Sequence, residues 1–229
     1  MSLRELLGFS PLGCVGMFLM GGIFSAQFGM ASVYGAEAGL SVAQISTFVA
    51  TFFVGAVMLQ YPIGWISDRM DRRALVVVVS AIGAAGSAVG MLLGHQFIML
   101  LVSAFVVGGM ANPLYSLLIA HTNDFLEHED MAAASGGMIF INGLGAILGP
   151  VITGWMMGTS LGPGGFYLFT GIPFVILAFY AAYRSARGAV IPVEDKGSYV
   201  PISAAATGVA LEYAQELAIE ADQENENAA

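Results

Sequence analysis

Hydrophobic residues run along this chain in six blocks of about 20 positions, separated by short polar or glycine-rich breaks. Each block is long enough for a helix to cross the hydrocarbon core of a bilayer, and none alternates with the period of a barrel strand. Because backbone groups in lipid must hydrogen-bond within the protein, the pattern predicts six membrane-spanning helices. The predicted bounds are about 12–34, 43–66, 74–93, 97–120, 132–157 and 166–184.

The composition also indicates that a bilayer is the solvent. Hydrophobic residues make up 57% of the 229 residues and charged residues 10%, and the mean hydropathy is +0.80. A water-soluble core of this size could not bury that much apolar surface. We therefore predict a membrane domain at 1–187, with the lipid bilayer as its surroundings. The net charge of −9 is concentrated in the remainder, 188–229, which we predict to be an acidic, partly disordered tail.

The basic residues are confined to the termini and to the loop between the second and third predicted helices. The predicted loops on the other side, 35–42, 94–96 and 158–165, contain none. By the positive-inside rule, this segregation predicts that both termini and the 188–229 tail are cytoplasmic. So few basic residues also argue against binding of nucleic acid. The complete set is Arg4, Arg69, Arg72, Arg73, Arg184, Arg187 and Lys196.

Two copies of a three-helix unit are suggested by a short internal match. The five residues from Phe18 to Gly22 align with those from Phe105 to Gly109 at an offset of 87 positions, and the two copies would be inverted in the membrane. The alignment indicates a face of side chains on the first and fourth helices. Polar groups there need either a watery cavity or a partner on another helix, and both interpretations stay open. The candidate cavity-lining residues are Ser25, Phe28, Ser32, Asn112, Tyr115 and Ser116.

Small residues four positions apart predict close helix contacts in the fifth predicted helix. Gly145 and Gly149, followed by Pro150, are the candidates for helix packing, because glycine lets two backbones approach in lipid. The chain has 30 glycines, so chance also makes such pairs.

The charged turn between the second and third helices has the sequence GWISDRMDRR. Asp68 and Arg72 are four positions apart and can pair if the helix continues. The three arginines can also meet anionic headgroups, or acids such as Asp124 and Glu127. A simple anchor of topology is the alternative interpretation of the turn.

This turn resembles the signature loop of the major facilitator superfamily, in which a glycine and three residues precede an Asp-Arg pair, two residues and a basic pair. The matching residues are Gly64, Asp68, Arg69, Arg72 and Arg73. The segments SPLG and GLSVAQI, the Asn123-Asp124 pair and the Gly149-Pro150 pair are similar to the second six-helix half of a bacterial member. The resemblance implies an all-α membrane protein, one half of a major facilitator fold, in the inner membrane. It also implies that the loop is a conformational latch.

We therefore expect a transporter that moves a small-molecule solute by alternating access, without a cofactor. Six helices cannot flank a central path from both sides, so the resemblance implies a second six-helix half or a homodimer as partner. The alternative is a non-transporting six-helix fragment or partner subunit. An enzyme is not expected, because Ser135 has no histidine at membrane depth for a protease. The sequence also has no paired cysteine or histidine spacing for a metal site.

Overall fold

The computed structural model describes residues 2–126 and 128–186. Glu127 and the predicted acidic tail at 188–229 lie outside these described residues. Six helices are long and apolar enough to cross a membrane. The elements are α1 (Leu3–Phe9), α2 (Pro11–Ser25), a π-helical segment (Ala26–Met30), α3 (Ala31–Glu37), α4 (Val42–Ser67), α5 (Arg72–Leu93), α6 (Phe97–Asn123), α7 (His128–Met157) and α8 (Gly164–Ser185).

The first span is longer than predicted, because α2, the π-helical segment and α3 form one continuous helix from Pro11 to Glu37. The sequence pattern predicted that this span ends near residue 34, just before the predicted loop at 35–42. The chain instead turns at Gly39, whose φ of 74° lies in the left-handed region that side chains rarely adopt. Alanines before that point are good helix formers, so they extend the helix. The other five spans differ from the predicted bounds by four residues or fewer.

Helix α1 has no counterpart in the predicted elements. Ser2 and Glu5 form a capping box, in which Ser2 Oγ accepts from Glu5 N at 3.3 Å and Glu5 Oε2 accepts from Ser2 N at 2.7 Å. Hydrogen bonding of the Glu5 carboxylate by the backbone N–H of Ser2, and secondarily by the Ser2 side chain, lowers the pKa of that carboxyl. Leu6 packs toward Gly137 of α7, whereas Leu7 and Phe9 are exposed. The short helix therefore lies against the bundle with an apolar side uncovered.

Local capping residues fix where the second and third spans begin. Ser41 and Gln44 form a second capping box at the start of α4. Asp71 caps α5, because its Oδ1 accepts a hydrogen bond from Arg73 N at 2.8 Å. Only Asp68 to Asp71 separate the two helices, so the charged turn is held tightly between them.

The spans pair in an order that does not follow the chain. Helix α2 packs mainly against α7, α4 against α6, and α5 against both α6 and α8. Because consecutive spans cross in opposite directions, the first and fourth spans are antiparallel. The symmetry of the repeat exchanges the first three spans with the last three, in order. It therefore carries the pair of first and fifth spans, α2 and α7, onto the pair of fourth and second spans, α6 and α4. The bundle is therefore a 3+3 inverted repeat.

The seam between α2 and α7 depends on two glycines. A methyl group on Gly21 would overlap the carbonyl oxygen of Asn142, and one on Gly145 would overlap the carbonyl oxygen of Phe18. The two backbones are thus too close for side chains at these positions, as in other tightly packed membrane helices.

The seam between α6 and α4 repeats this arrangement. A methyl group on Gly108 would overlap the carbonyl oxygen of Phe52, and one on Gly55 would overlap that of Phe105. Phe105 and Gly108 follow Phe18 and Gly21 by the 87 positions of the internal match. The short match therefore marks the same contact in both copies of the repeat.

Aromatic rings fill the end of the bundle opposite the charged turn. Tyr34 packs against Phe48, Phe166 and Tyr167 with ring centroids 5.1 to 5.5 Å apart. Phe52 extends the group from Phe48 at 5.0 Å. We call these five residues the aromatic cluster. It joins α3 to α4 and α8 through apolar contact alone.

Candidate functional site

The centre of the charged turn is the guanidinium of Arg72, whose residue is 1% exposed. Its Nη1 donates to the carboxylate of Asp124 and, at 3.2 Å, to the carbonyl oxygen of Ala120. Its Nε donates to Ser67 Oγ at 3.3 Å. Arg72 is the first residue of α5, so these bonds tie the start of α5 to the end of α4 and to the last turn of α6. We call Ser67, Asp68, Arg72, Ala120 and Asp124 the Arg72 cluster.

Two carboxylates flank Arg72 in different surroundings. The Asp124 side chain is 2% exposed and pairs directly with the guanidinium. The Asp68 side chain is 42% exposed, and its Oδ1 lies 3.8 Å from Arg72 Nη2. The predicted four-residue pair of Asp68 and Arg72 is thus present at the limit of an ion pair, although α4 ends before Asp68. The buried acid contributes the stronger bond, because water weakens the exposed pair.

The other residues of the signature loop lie around this cluster. Gly64 is buried, and its carbonyl accepts from Asp68 N at 3.2 Å. Arg69 is exposed; its Nη1 donates to Trp65 O at 2.9 Å, and its guanidinium stacks 4.1 Å from the Trp65 ring centroid. Arg73 is buried, with its guanidinium 5.6 Å from the Phe125 ring centroid. Of the three arginines, Arg72 is therefore the one that bridges the two acids.

The candidate cavity residues of the first span are partly open. Ser25 donates from Oγ to Gly22 O at 2.9 Å, which satisfies its hydroxyl within its own helix. Phe28 is 46% exposed and stacks on Phe24 at 5.8 Å. Ser32 is exposed. This face of the first span is thus lined by one aromatic ring and two hydroxyl groups.

The candidate cavity residues of the fourth span are more deeply placed. Asn112 is half-buried, and its Nδ2 donates to Gly108 O at 3.3 Å. Tyr115 and Ser116 are buried in the bundle, with 3% and 1% exposure. The Tyr115 ring meets Phe24 edge-on at 5.7 Å. Tyr115 therefore packs against an aromatic ring of the first span, and Ser116 is enclosed within the bundle.

Gly145, Gly149 and Pro150 all face the first span. Gly149 leaves room for the Ser25 hydroxyl, just as Gly145 does for the Phe18 carbonyl. The Pro150 ring lies 4.0 Å from the place of a methyl group on Gly29. The structure thus brings these three residues together along one helix seam.

Three residues that contact the site or its neighbouring seam were not among the predicted site residues. The Ala120 carbonyl and Ser67 hydroxyl complete the Arg72 cluster, but neither residue type signals an arginine partner in a sequence. Asn142 Nδ2 donates to Met17 O at 3.0 Å across the α2–α7 seam. An amide in an otherwise apolar, glycine-rich helix was the available signal. In residues 2–126 and 128–186, no group of three or more metal-ligating side chains could hold a metal ion.

Comparison with known proteins identifies a family and several relatives of this chain. The model of the Major Facilitator Superfamily matches residues 13–213. The Bacillus subtilis protein named "Uncharacterized MFS-type transporter YfkF" is 30% identical over 156 residues, which are 67% of this chain and 39% of the relative. The Escherichia coli protein named "Uncharacterized MFS-type transporter YcaD" is 24% identical over 152 residues, or 64% of this chain and 37% of the relative. The matched segments thus make up less than half the length of these relatives.

Solved structures support the fold. The crystal structure of the POT family transporter PepTSo superposes with a TM-score of 0.68 at 13% identity, over 84% of this chain and 39% of that one. An auto-inhibited POT family peptide transporter gives the same TM-score at 16% identity, over 83% and 39% of the two chains. At such low identity the likeness concerns the fold, and it covers 39% of each of those longer chains.

Proposed function

This chain belongs to the Major Facilitator Superfamily, and from that premise we propose that it moves a small solute across a membrane by alternating access, as one six-helix half of the pathway. The observation that carries the proposal is the inverted repeat of six spans closed at one end by the Arg72 cluster. Known relatives of the chain are named as transporters of this type.

A second six-helix unit completes the pathway in this proposal. The chain covers 39% of the first relative and 39% of the PepTSo chain, so about one half of a transporter is present. The partner is either a second copy or a separate half. Light scattering coupled to size exclusion, on protein in detergent, tests the copy number against the chain mass of 23.8 kDa. A strict monomer that gains no partner on co-expression with its genomic neighbours would favour the alternative, a non-transporting fragment.

In this proposal the Arg72 cluster is the latch of one conformation. Closing it places the start of α5 against the last turn of α6 through the Arg72–Asp124 pair. Asp68 is the partner that water reaches, so changes at the surface act first on the Asp68–Arg72 interaction. Weakening that interaction shifts the balance between conformations without dismantling the buried pair.

The latch is tested by neutralising its exposed acid. In a Cys14→Ala background, we would introduce Ser32→Cys at an exposed position of the first span. The new cysteine would be labelled with an impermeant maleimide from each side of the membrane. Asp68→Asn should change the ratio of labelling from the two sides by up to about fivefold, because the partly exposed pair contributes less than about 1 kcal/mol. Asp71→Asn is the matched control, since asparagine also caps helices. Equal ratios in the Asp68→Asn and parent proteins would refute the latch.

The orientation is part of the same proposal. Arg4, Arg69 and Arg184 lie at one end of the bundle with the charged turn, so we place this end and both termini in the cytoplasm of a bacterial cell, with the spans in its inner membrane. Cysteines at Met70 and at Ser160, in the loop between α7 and α8, should label from opposite sides of intact cells. Labelling of both from one side would overturn the orientation and the six-span topology.

A further inference from the structure

The short helix α1 meets the first span at a bend in the backbone. Ser10, which separates α1 from α2, has φ of −134° and ψ of 76°, so its conformation is not helical. Its Oγ accepts hydrogen bonds from Gly13 N at 3.2 Å and from Thr122 Oγ1 at 3.0 Å. Both Ser10 and Thr122 are buried. The bend is therefore fixed to the last turn of α6, and α1 does not continue along the axis of α2.

The register of α2 on α7 shows how far α1 departs from that axis. Met17 of α2 bonds to Asn142 of α7, which is 125 positions later in the chain. At this offset, a straight continuation of α2 would place Leu6 beside Met131. Leu6 instead packs on Gly137, where a methyl group would lie 2.8 Å from Leu6 Cδ2. The contact is thus six positions farther along α7, or about 9 Å at the rise of an α-helix.

The contact with α7 places α1 near the edge of the hydrocarbon core. The fifth span, Asp130–Met157, has 28 residues. An upright helix of that length is about 42 Å long, so a core of about 30 Å begins about four residues inside each end. Gly137 lies just beyond that edge, and Leu3 Cδ2 is also within reach, at 3.6 Å from the same methyl position. Since Leu3 and Leu6 are one turn apart and meet one level of α7, α1 runs across α7.

Apolar and polar residues of α1 lie on opposite sides of the helix. With 3.6 residues per turn, its four large apolar side chains fall within an arc of about 160°. In order around the helix, the arc is made by Phe9, Leu6, Leu3 and Leu7. Leu6, near the middle, is covered by α7, whereas Phe9 and Leu7 at the two edges are 50% and 47% exposed. The opposite side carries the exposed residues Arg4, Glu5 and Gly8. The bundle thus covers only the centre of the apolar arc.

From this geometry we propose that α1 lies in the plane of the bilayer and docks on the leaflet at the end with the charged turn. Leu7 and Phe9 insert at the boundary between headgroups and acyl chains, and the polar side of α1 faces water. The occupant is lipid, because the uncovered edges stand at the level of that boundary. They also adjoin the apolar surface of the fifth span, where Phe140, one turn after Gly137, is 54% exposed. Amphipathic helices bind bilayers in this orientation through buried apolar area.

The docked helix fixes the depth at which the first span begins. Its last residue, Phe9, directly precedes Ser10, so lipid contacts of α1 hold the bend that the Ser10–Thr122 hydrogen bond joins to α6. This inference goes beyond the proposed function. Its test needs no solute, so docking and transport can fail separately.

Spin labels on α1 test the docking with the full chain in nanodiscs of zwitterionic phosphatidylcholine. In a Cys14→Ala background, single labels are attached to Leu7→Cys, Phe9→Cys or Gly8→Cys. Gly8 is the matched control on the same helix, because a side chain there meets nothing within 4 Å. Relaxation by oxygen, which concentrates in lipid, is compared with relaxation by a water-soluble nickel chelate. The labels at Leu7 and Phe9 should lie about 5–10 Å below the headgroups, and the label at Gly8 should lie in water.

A second measurement avoids the bulky label. In a Trp65→Phe, Trp155→Phe background, Phe9→Trp places a single indole on the apolar arc. Its fluorescence should be quenched more by lipids brominated near the headgroup than by lipids brominated near the chain end, because the arc inserts only at the boundary. Gly8→Trp in the same background should be quenched little by either lipid.

Two results would overturn the proposal. Nickel access at Leu7 and Phe9 equal to that at Gly8 would mean that α1 stands in water. Low access of both oxygen and nickel at Leu7 and Phe9, without quenching of Phe9→Trp by either brominated lipid, would mean that protein covers the apolar edges. The second six-helix unit would then be the occupant in place of lipid.

Discussion

The two ends of the bundle are held together by different interactions. At the end with the charged turn, a buried guanidinium between two carboxylates joins α5 to α4 and α6. At the opposite end, five aromatic rings join α3 to α4 and α8. The Arg72 cluster depends on direction and charge, so it is either made or broken. Rings packed by apolar contact are held by many small dispersion attractions. The difference teaches that the first end depends on a few directional bonds, whereas the second depends on packing that is shared among five rings.

The largest expected effect is the loss of the central cation. Arg72→Ala leaves the buried Asp124 carboxylate without its partner, which should lower stability by about 3–5 kcal/mol. Cys14 is buried, so a thiol-reactive dye reports its exposure during thermal unfolding. Arg69→Ala, at an exposed arginine of the same turn, should change the unfolding temperature little. Similar losses in both variants would mean that burial of Arg72 has no special role.

The aromatic cluster should be less sensitive to a single deletion. Phe166→Ala removes a fully buried ring, and we expect a loss of about 2 kcal/mol. The figure is below that for a water-soluble core because lipid is itself apolar. Phe179→Ala, at a ring of α8 that is 74% exposed, is the control in the same unfolding assay. A loss larger than that of Arg72→Ala would reverse the comparison between the two ends.

A helix cap at the aromatic end should have a smaller effect. Ser41→Ala removes the side chain that accepts from Gln44 N, which should cost about 1 kcal/mol. Hydrogen exchange should detect it as faster opening of the first turn of α4. Ser46→Ala removes an exposed hydroxyl from the same helix and should have no comparable effect. Equal exchange in the two variants would show that the capping box is dispensable.

The smallest effect is expected for the exposed acid of the Arg72 cluster. Asp68→Asn should lower stability by less than about 1 kcal/mol, because its 3.8 Å pair with Arg72 is partly in water. The unfolding temperature should stay close to that of Glu37→Gln, an exposed acid at the opposite end. A loss comparable with that of Arg72→Ala would make Asp68, and not Asp124, the principal partner.

The spans were predictable because the bilayer imposes a length and a composition on each of them. The same property hid α1, which is too short to cross and is recognised only by its capping box. The π-helical segment was not predicted, because none of the residue types from Ala26 to Met30 is specific to that geometry.

The charged turn was the most predictable part of the candidate site. Charged residues are rare in this chain, so their spacing stood out, and Asp124 was among the acids expected near the arginines. The tertiary packing of α5 on α6 determines which arginine meets Asp124. The spacing of residues in the sequence does not reveal that packing. For the same reason Tyr115 and Ser116 were expected on a face of α6 that the structure encloses within the bundle.

The order in which the spans pair has a consequence for biogenesis. Helix α2 meets its principal partner only when α7 has been made, and the Asn142–Met17 hydrogen bond joins residues 125 positions apart. Helix α4 likewise waits for α6. During synthesis the first span therefore lacks its principal partner until the fifth span has been made.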